Sequence, residues 1–354
     1  MVPASLKFSS LVLTAALFLS GCELPYYWQA AQGQWQILKQ RQPITELLQS
    51  GNLPESQRLK LETAMAARQF AVEQLQLKNN DSYLRYVELD REYVVWNVFA
   101  TPDLSMDSKT WCYPIAGCVS YRGYFNKQDA VEYAATLSAK GFDTYVGGVD
   151  AYSTLGWFED AILSTFMKRD ATALSALLFH ELAHQTLYVK GDTVFNESYA
   201  SSVERILLEM WLQDQPQKWQ QYLQSKHRHS AFLELVLSNR EQRQALFQSD
   251  LSEEEKREGK QNLIVQLEND YEQFEQHWHG FQGYRRWMQS GLNNAQLSTV
   301  ATYYDLVPGF LALYEQSQHN LGTFIQRCRE LAKLDPEQRK QKLIQLENGG
   351  LYSN

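Results

Sequence analysis

Two histidines and a glutamate in the middle of the chain have the spacing of a zinc-binding helix. His180 and His184 are four residues apart and enclose Glu181, in the pattern H-E-x-x-H. Residues four apart project from one face of a helix, one turn above the other. Two imidazoles placed in this way can bind one Zn²⁺, and the glutamate between them can reach a water molecule on the metal. The pattern therefore predicts a metal site with Glu181 as its acid–base group.

The residues around this motif are apolar and favour a helix, which indicates that the helix is buried. They are Leu174, Ala176, Leu177, Leu178, Phe179, Leu182, Ala183 and Leu187. A buried histidine or glutamate needs a polar partner, because removing it from water alone is costly. A metal ion would supply that partner. A chance occurrence of the motif is the alternative interpretation.

A third metal ligand is predicted at Glu197, thirteen residues after His184. Gly191 is a natural helix end, and Asp192 or Thr193 is a natural N-cap for a second helix. Residues 170–214 therefore read as two antiparallel helices. At about 1.5 Å per residue, His184 and Glu197 lie at nearly the same height on facing helices. Three protein ligands with an open fourth position are typical of a catalytic zinc site.

Glu204 lies seven residues after Glu197 and shares its helix face. At that height it would be nearer to His180 than to His184. It could accept a hydrogen bond from the His180 ring and orient it. An ion pair with Arg205, or with another helix, is the alternative.

H-E-L-A-H followed by N-E-x-x-A resembles the thermolysin-type clan of metallopeptidases, in which a glutamate on the next helix is the third ligand. The link between the helices is shorter here than in thermolysin or in the large zinc aminopeptidases. A closer resemblance is to a family of bacterial proteins named as aminopeptidases. It covers most of the chain, including residues 93–99, 111–125, 151–158 and the histidine motif. The resemblance implies one zinc ion, a peptide substrate and hydrolysis of peptide bonds.

Residues 292–295 and 303–308 also resemble that family. Zinc peptidases need a hydrogen-bond donor for the developing oxyanion, often a tyrosine or histidine. Tyr303 is the predicted donor, and a core tyrosine is the alternative. Glu159 and Asp160 are available to bind a substrate amine. Residues 147–157 form either the strand that borders the cleft and pairs with substrate or a structural hairpin.

The first 21 residues read as a lipoprotein signal peptide. Lys7 is the only charge before an apolar run at residues 11–19, and Leu-Ser-Gly-Cys follows, ending at Cys22. This resembles a bacterial lipobox, which implies cleavage before Cys22 and lipid on that cysteine. The alternatives are an ordinary signal peptide or an uncleaved anchor. Glu23, in place of Asp, favours the outer membrane. The predicted location is therefore the envelope of a Gram-negative bacterium, facing the periplasm.

Three further cysteines remain to be assigned. Cys112 and Cys118 are six residues apart in a loop with Pro and Gly, and outside the cytoplasm such a pair is expected to oxidise. Two reduced thiols, or a bridge to Cys328, are the alternatives. Cys328 lies in a helical pattern and reads as a buried free thiol.

Composition and periodicity predict an α+β protein that is mainly helical. The net charge of −8 argues against nucleic acid as a partner. Helices are predicted in residues 22–80, and a zincin-like catalytic core in residues 81–214, with a small β-sheet packed on the zinc-helix pair. Strands are expected at residues 83–89, 93–100, 120–125 and 144–149, with a helix at 128–140. Residues 215–354 read as all-helical.

These features predict a lipid-anchored zinc metallopeptidase, in the first place an aminopeptidase. An envelope metalloendopeptidase is one alternative. A non-catalytic envelope lipoprotein with a structural zinc site is another, although structural sites usually contain cysteine. His227/His229 and His277/His279 do not favour a second metal site, because residues two apart on a helix point to different faces.

Overall fold

The computed structural model describes residues 24–78, 80–113, 117–150, 159–300 and 306–350. The predicted signal peptide, Cys22, Tyr303 and residues 151–157 of the predicted cleft border lie outside the described residues. Within the described ranges, no helix combines the length and the apolar character needed to cross a membrane.

Short strands and helices alternate in the part of the chain before the histidine motif. They are α1 (Leu24–Lys39), β1 (Gln42–Pro43), α2 (Ile44–Gln49), α3 (Glu55–Gln74), β2 (Arg85–Val87), β3 (Val95–Pro102), β4 (Trp111–Tyr113), β5 (Gly117–Val119), β6 (Arg122–Tyr124), α4 (Lys127–Ser138), β7 (Phe142–Val149) and β8 (Ile162–Leu163). Each predicted strand is present with shifted bounds, and the predicted helix at 128–140 is α4.

Helices make up the rest of the described chain, after a short 3-10 helix at Ser164–Lys168. They are α5 (Ala171–His184), α6 (Thr193–Trp211), α7 (Pro216–Gln248), α8 (Glu253–His277), α9 (Arg285–Met288), α10 (Asn294–Ser298), α11 (Val307–Gln316), α12 (Leu321–Ala332) and α13 (Pro336–Gly350). The α+β class with a helical majority and small sheets is confirmed.

The strands form three small sheets instead of one. The order β6-β3-β7 is antiparallel throughout, with Trp96 opposite both Tyr124 and Gly148. In the second sheet, β2 pairs antiparallel with β1 and parallel with β8. The third is the β4–β5 hairpin, in which Cys112 and Cys118 lie opposite each other and form a disulfide.

The largest sheet does not have the predicted position over the histidine helix. The sheet of β3, β6 and β7 packs on α4 and α10, and most residues of β3 are buried as a result. Its core cluster includes Trp96, Val98 and Leu137. The smaller sheet contributes Val87 and Ile162 to the core that α5 and α6 share. The prediction of one sheet packed on the zinc-helix pair is therefore replaced by a division between two sheets.

The C-terminal helices are divided between two cores. Helices α11 and α12 join the core of α5 and α6, where the ring of Phe310 lies 5.2 Å from that of Phe195 between centroids. Helices α7 to α9 form a separate cluster around Phe232, Val236 and Tyr271. Helices α11 and α12 thus pack against the helix pair that carries the histidines.

Candidate metal centre

Helix α5 presents both histidines of the motif in its last two turns. It begins after Asp170, whose carboxylate accepts a hydrogen bond from the backbone N–H of Ala173 at 2.9 Å, as an N-cap does. Leu178 and Leu182 are fully buried and hold the other side of the helix against the core. The histidines therefore face α6 from a helix that is fixed on its opposite side.

The sequence predicted a helix end near Gly191, but α5 ends earlier, at His184. The Thr186 hydroxyl donates a hydrogen bond to the Ala183 carbonyl at 2.7 Å and so satisfies a group that further helix would have bonded. Residues 185–192 form the link to α6. Gly191 lies in this link with φ of +84°, a conformation that glycine adopts without strain.

Side-chain hydrogen bonds to the link set the start of α6. Asp192 caps the helix and accepts from the Phe195 N–H at 3.0 Å, while Arg339 of α13 forms an ion pair with it. Asn196 both accepts from the backbone N–H of Val189 and donates to its carbonyl, each at 2.8 Å. These contacts fix the register of the first turns of α6, where Glu197 lies.

The structure brings His180, His184 and Glu197 together. The Nε2 atoms of the two histidines are 3.3 Å apart. Glu197 Oε2 lies 3.2 Å from His180 Nε2, and Glu197 Oε1 lies 3.6 Å from His184 Nε2. In the described part of the chain, these are the only three His, Cys, Asp or Glu side chains grouped closely enough to hold a metal ion.

These distances agree with what a tetrahedral ion would need. Zinc binds nitrogen and carboxylate oxygen at about 2.0–2.2 Å, so two ligands of a tetrahedron are about 3.3–3.6 Å apart. The two Nε2 atoms are 3.3 Å apart; Glu197 Oε2 lies 3.2 Å from His180 Nε2, and the other oxygen, Oε1, lies 3.6 Å from His184 Nε2. A group of two imidazoles and one carboxylate is also a donor set that zinc accepts. The residues present therefore fit the metal that their sequence pattern predicts.

Glu204 contacts the opposite side of the His180 ring. Its Oε2 lies 3.3 Å from His180 Nδ1, which faces away from the other two ligands. Its Oε1 accepts a hydrogen bond from the Tyr222 hydroxyl at 2.9 Å and forms an ion pair with Lys226 Nζ at 2.7 Å. Tyr222 and Lys226 both lie on α7. The carboxylate is almost completely buried. A hydrogen bond at Nδ1 leaves the Nε2 lone pair of His180 directed at the metal position.

The acidic groups stabilise positive charge at this point. Burial alone would lower the pKa of His180, but its hydrogen bonds to Glu197 and Glu204 raise it to about 10. Burial would raise the pKa of Glu204, but Lys226 and His180 lower it to about 2. Burial and the charge of His180 lower the pKa of His184 to about 4. Such surroundings suit a divalent cation.

Glu181 has the environment of an acid–base group. Burial raises its pKa; the positive charge of His180 opposes this shift, while the negative charges of Glu197 and Asp160 add to it. A raised pKa makes a carboxylate a stronger base, which suits the acceptance of a proton from water. Of the two acidic residues predicted to bind a substrate amine, Asp160 is buried and within electrostatic reach of Glu181, whereas Glu159 is exposed.

Three neighbours of the site were not identified from the sequence. Tyr222 and Lys226 lie on a different helix from Glu204, and no motif marks them. Tyr83 is buried beside Asp160, where its N–H donates to the Asp160 carbonyl at 2.6 Å. Its φ of 64° is uncommon for a bulky residue. Burial raises the pKa of Tyr83, as does the nearby charge of Glu181.

The other histidine pairs have ordinary contacts. His229 Nδ1 lies 3.1 Å from the Tyr284 hydroxyl, and the His227 ring packs edge-on against Trp278. Both contacts join α7 to the segment between α8 and α9. Neither pair belongs to a metal-binding group among the described residues.

A family model with the description "Putative aminopeptidase" matches residues 25–343. The chain belongs to this family. The match includes α5, α6 and the C-terminal helices that support them, and it confirms the family resemblance inferred from the motifs. The family name indicates a peptidase, for which a peptide is the expected substrate. No curated protein and no solved structure matches the chain.

Proposed function

We propose that the protein is a zinc-dependent aminopeptidase held at the bacterial envelope by lipid on Cys22. The observation that supports zinc is the approach of the two Nε2 atoms and the Glu197 carboxylate to within 3.2–3.6 Å of one another. Glu181 lies on the same helix as His180 and His184, one residue from the first of them. This combination suits metal-assisted hydrolysis of a peptide bond.

In the proposed reaction, His180, His184 and Glu197 hold the metal, and Glu181 moves the protons. When bound, zinc acts as a Lewis acid toward a peptide carbonyl and lowers the pKa of a water molecule. Glu181 accepts a proton from the attacking water and donates one to the leaving amine. Glu204 keeps the His180 ring in place. The proposed oxyanion donor, Tyr303, lies outside the described residues.

An aminopeptidase also needs a negative charge for the α-ammonium group of its substrate. We assign this role to Asp160, because it is one of the two acidic residues predicted for it and its charge reaches Glu181, which neighbours the metal ligand His180 in the chain. Asp160→Asn should then raise KM for peptides with a free amine, and should change the inhibition constant of the same peptides in N-acetylated form much less. Equal changes in the two constants would contradict the assignment. Efficient cleavage of N-acetylated peptides by the wild type would favour an endopeptidase.

The role of Glu181 can be separated from metal binding. We expect Glu181→Gln to retain stoichiometric zinc, because no ligand is changed, and to lose about 10²- to 10⁴-fold in kcat, because proton transfer is lost. Zinc content by mass spectrometry and turnover on a peptide library measure the two effects. Glu209→Gln is the matched control, since Glu209 is an exposed carboxylate on α6.

Two outcomes would contradict the proposed reaction. Undiminished turnover in Glu181→Gln would exclude Glu181 as the acid–base group. Zinc in the wild type without activity on any peptide would instead favour a structural metal site.

The lipid anchor is proposed from Leu-Ser-Gly-Cys at residues 19–22. Glu23, which follows the cysteine, favours the outer membrane, with the protein facing the periplasm. Cys22→Ala should abolish incorporation of labelled fatty acid and release the protein from membranes. Labelling that persists in this variant would exclude Cys22 as the site of lipid attachment.

A further inference from the structure

Helix α1 carries an exposed apolar stripe. The exposed fractions of Leu24, Trp28 and Trp35 are 66%, 72% and 65%. Their spacing of four and seven residues places them on one side of a helix. Of the eleven large apolar side chains exposed in the described ranges, these three and Tyr27 lie on this single helix. Such a concentration of exposed tryptophan and leucine usually marks a surface that contacts something other than water.

The opposite side of α1 is held firmly by the body of the protein. Gln29 donates to the Gly123 carbonyl at 3.3 Å and accepts from the Phe125 N–H at 3.1 Å. Gly33 is buried against Phe125, and a Cβ at that position would lie 2.1 Å from the Phe125 ring. The Tyr26 ring stacks on Tyr113 with centroids 5.6 Å apart. Because these contacts fix the rotation of α1, the stripe cannot turn inward.

We propose that the stripe of Leu24, Trp28 and Trp35 lies in the interfacial layer of the membrane that holds the lipid on Cys22. The inference rests on the anchor proposed above. Leu24 is two residues from Cys22, and two residues of extended chain span at most about 7 Å. The first turn of α1 is therefore kept close to the lipid headgroups wherever the body of the protein turns.

The composition of α1 suits this position. Tryptophan and tyrosine prefer the boundary between the headgroups and the hydrocarbon, because they combine an apolar ring with a polar group. The helix contains no acidic residue, and Lys39 is its only charge, so an anionic membrane surface would not repel it. Trp28 and Trp35 are separated by about 10 Å along the axis. A helix lying parallel to the surface would hold both rings at similar depth.

Contact between α1 and the membrane would fix the orientation of the protein as well as attach it. A lipid on a flexible segment would let the domain tumble above the membrane. With α1 in the interface as well, the surface of α1 faces the bilayer. A protein partner could also cover an exposed aromatic stripe, and the experiment must distinguish the two.

Photo-crosslinking of the full-length protein in isolated envelopes provides that test. A benzophenone amino acid is placed at position 28 or 35 and, as matched controls, at the exposed apolar positions Leu251 and Val265 outside α1. Labelled fatty acid on Cys22 is measured in the same samples. We expect phospholipid adducts at positions 28 and 35 and none at the control positions 251 and 265.

Each result has a separate meaning. Lipidated protein without phospholipid adducts at 28 and 35 would overturn the inference while leaving the anchor intact. Adducts to another protein at these positions would also overturn it. Absence of fatty acid on Cys22 would overturn the anchor, and with it the basis for this orientation. As a second measurement, Trp28→Gln/Trp35→Gln should lose the fluorescence quenching that brominated phospholipids cause in reconstituted wild type.

Discussion

Replacing Glu204 tests how the fold supports the metal centre. Its carboxylate faces three donors: His180 Nδ1 at 3.3 Å, the Tyr222 hydroxyl at 2.9 Å and Lys226 Nζ at 2.7 Å. The amide of Glu204→Gln offers one oxygen and one NH₂ group. The NH₂ group must then face either His180 or the donors of α7, so one side of the contact becomes donor against donor. The side chain is almost completely buried, so water cannot readily compensate.

Glu204→Gln is expected to reduce zinc affinity, but by less than the loss of a metal ligand would. Loss of a group that orients a metal-binding histidine typically reduces affinity about 10- to 100-fold, which corresponds to about 1.4–2.7 kcal/mol. Glu197→Ala should cost far more, because it removes a ligand. Glu204 cannot replace that ligand, since it lies about 10 Å further along the axis of α6 and contacts the remote nitrogen of His180.

Competition with a chromophoric zinc chelator at fixed pH measures these affinities. Tyr222→Phe removes one of the three donors and should fall between Glu204→Gln and the exposed control Glu209→Gln. Thermal melting without zinc shows whether each variant is folded before its affinity is interpreted. Unchanged affinity in Glu204→Gln, or a loss as complete as in Glu197→Ala, would refute the division of roles between the two glutamates.

Three further expectations concern other parts of the structure. Burial lowers the pKa of His229 from 6.5, so the unfolded chain binds the proton more readily and stability should fall as pH drops below about 6.5. The loss of Tm between about pH 7.5 and 5.5 should be smaller in His229→Gln. Cys328 is fully buried, and burial raises its pKa; it should resist a thiol reagent until the protein is unfolded, whereas reaction in the native state would contradict its placement. Arg339→Met removes the ion pair with Asp192, and denaturant titration should show that the free energy of unfolding falls by about 3–5 kcal/mol. A fall of less than about 1 kcal/mol would show that the pair does not stabilise the fold.

The relation among His180, His184 and Glu197 could be predicted because it depends on local geometry. Helical spacing places His180 and His184 on one face of α5. The short link limits how far α6 can shift along the axis of α5. The end of α5 differs from the predicted one. The helix ends at His184, seven residues before Gly191, because the Thr186 side chain bonds the Ala183 carbonyl there. The earlier end of α5 leaves the position of Glu197 unchanged, because Asn196 and Asp192 set the register of α6 through their hydrogen bonds at its start.

The supports from distant parts of the chain could not be predicted in the same way. Tyr222 and Lys226 reach Glu204 because α7 packs on the helix pair with one particular rotation, which spacing within α7 does not specify. The parallel pairing of β2 with β8 joins two strands of only three and two residues. Runs so short carry little pattern of their own, and tertiary contacts decide them.

The carboxylates around the histidines differ in role because they face different atoms. The Glu197 carboxylate lies beside the Nε2 atoms of both histidines, where a third metal ligand would be. Glu204 meets only Nδ1 of His180 and is neutralised by Lys226, so it can orient the ring without competing for the metal. Burial raises the pKa of Glu181, although the positive charge of His180 opposes this shift. An acid–base group needs a raised pKa. A carboxylate that is paired with a cation, as Glu204 is with Lys226, would hold its charge too strongly to accept a proton.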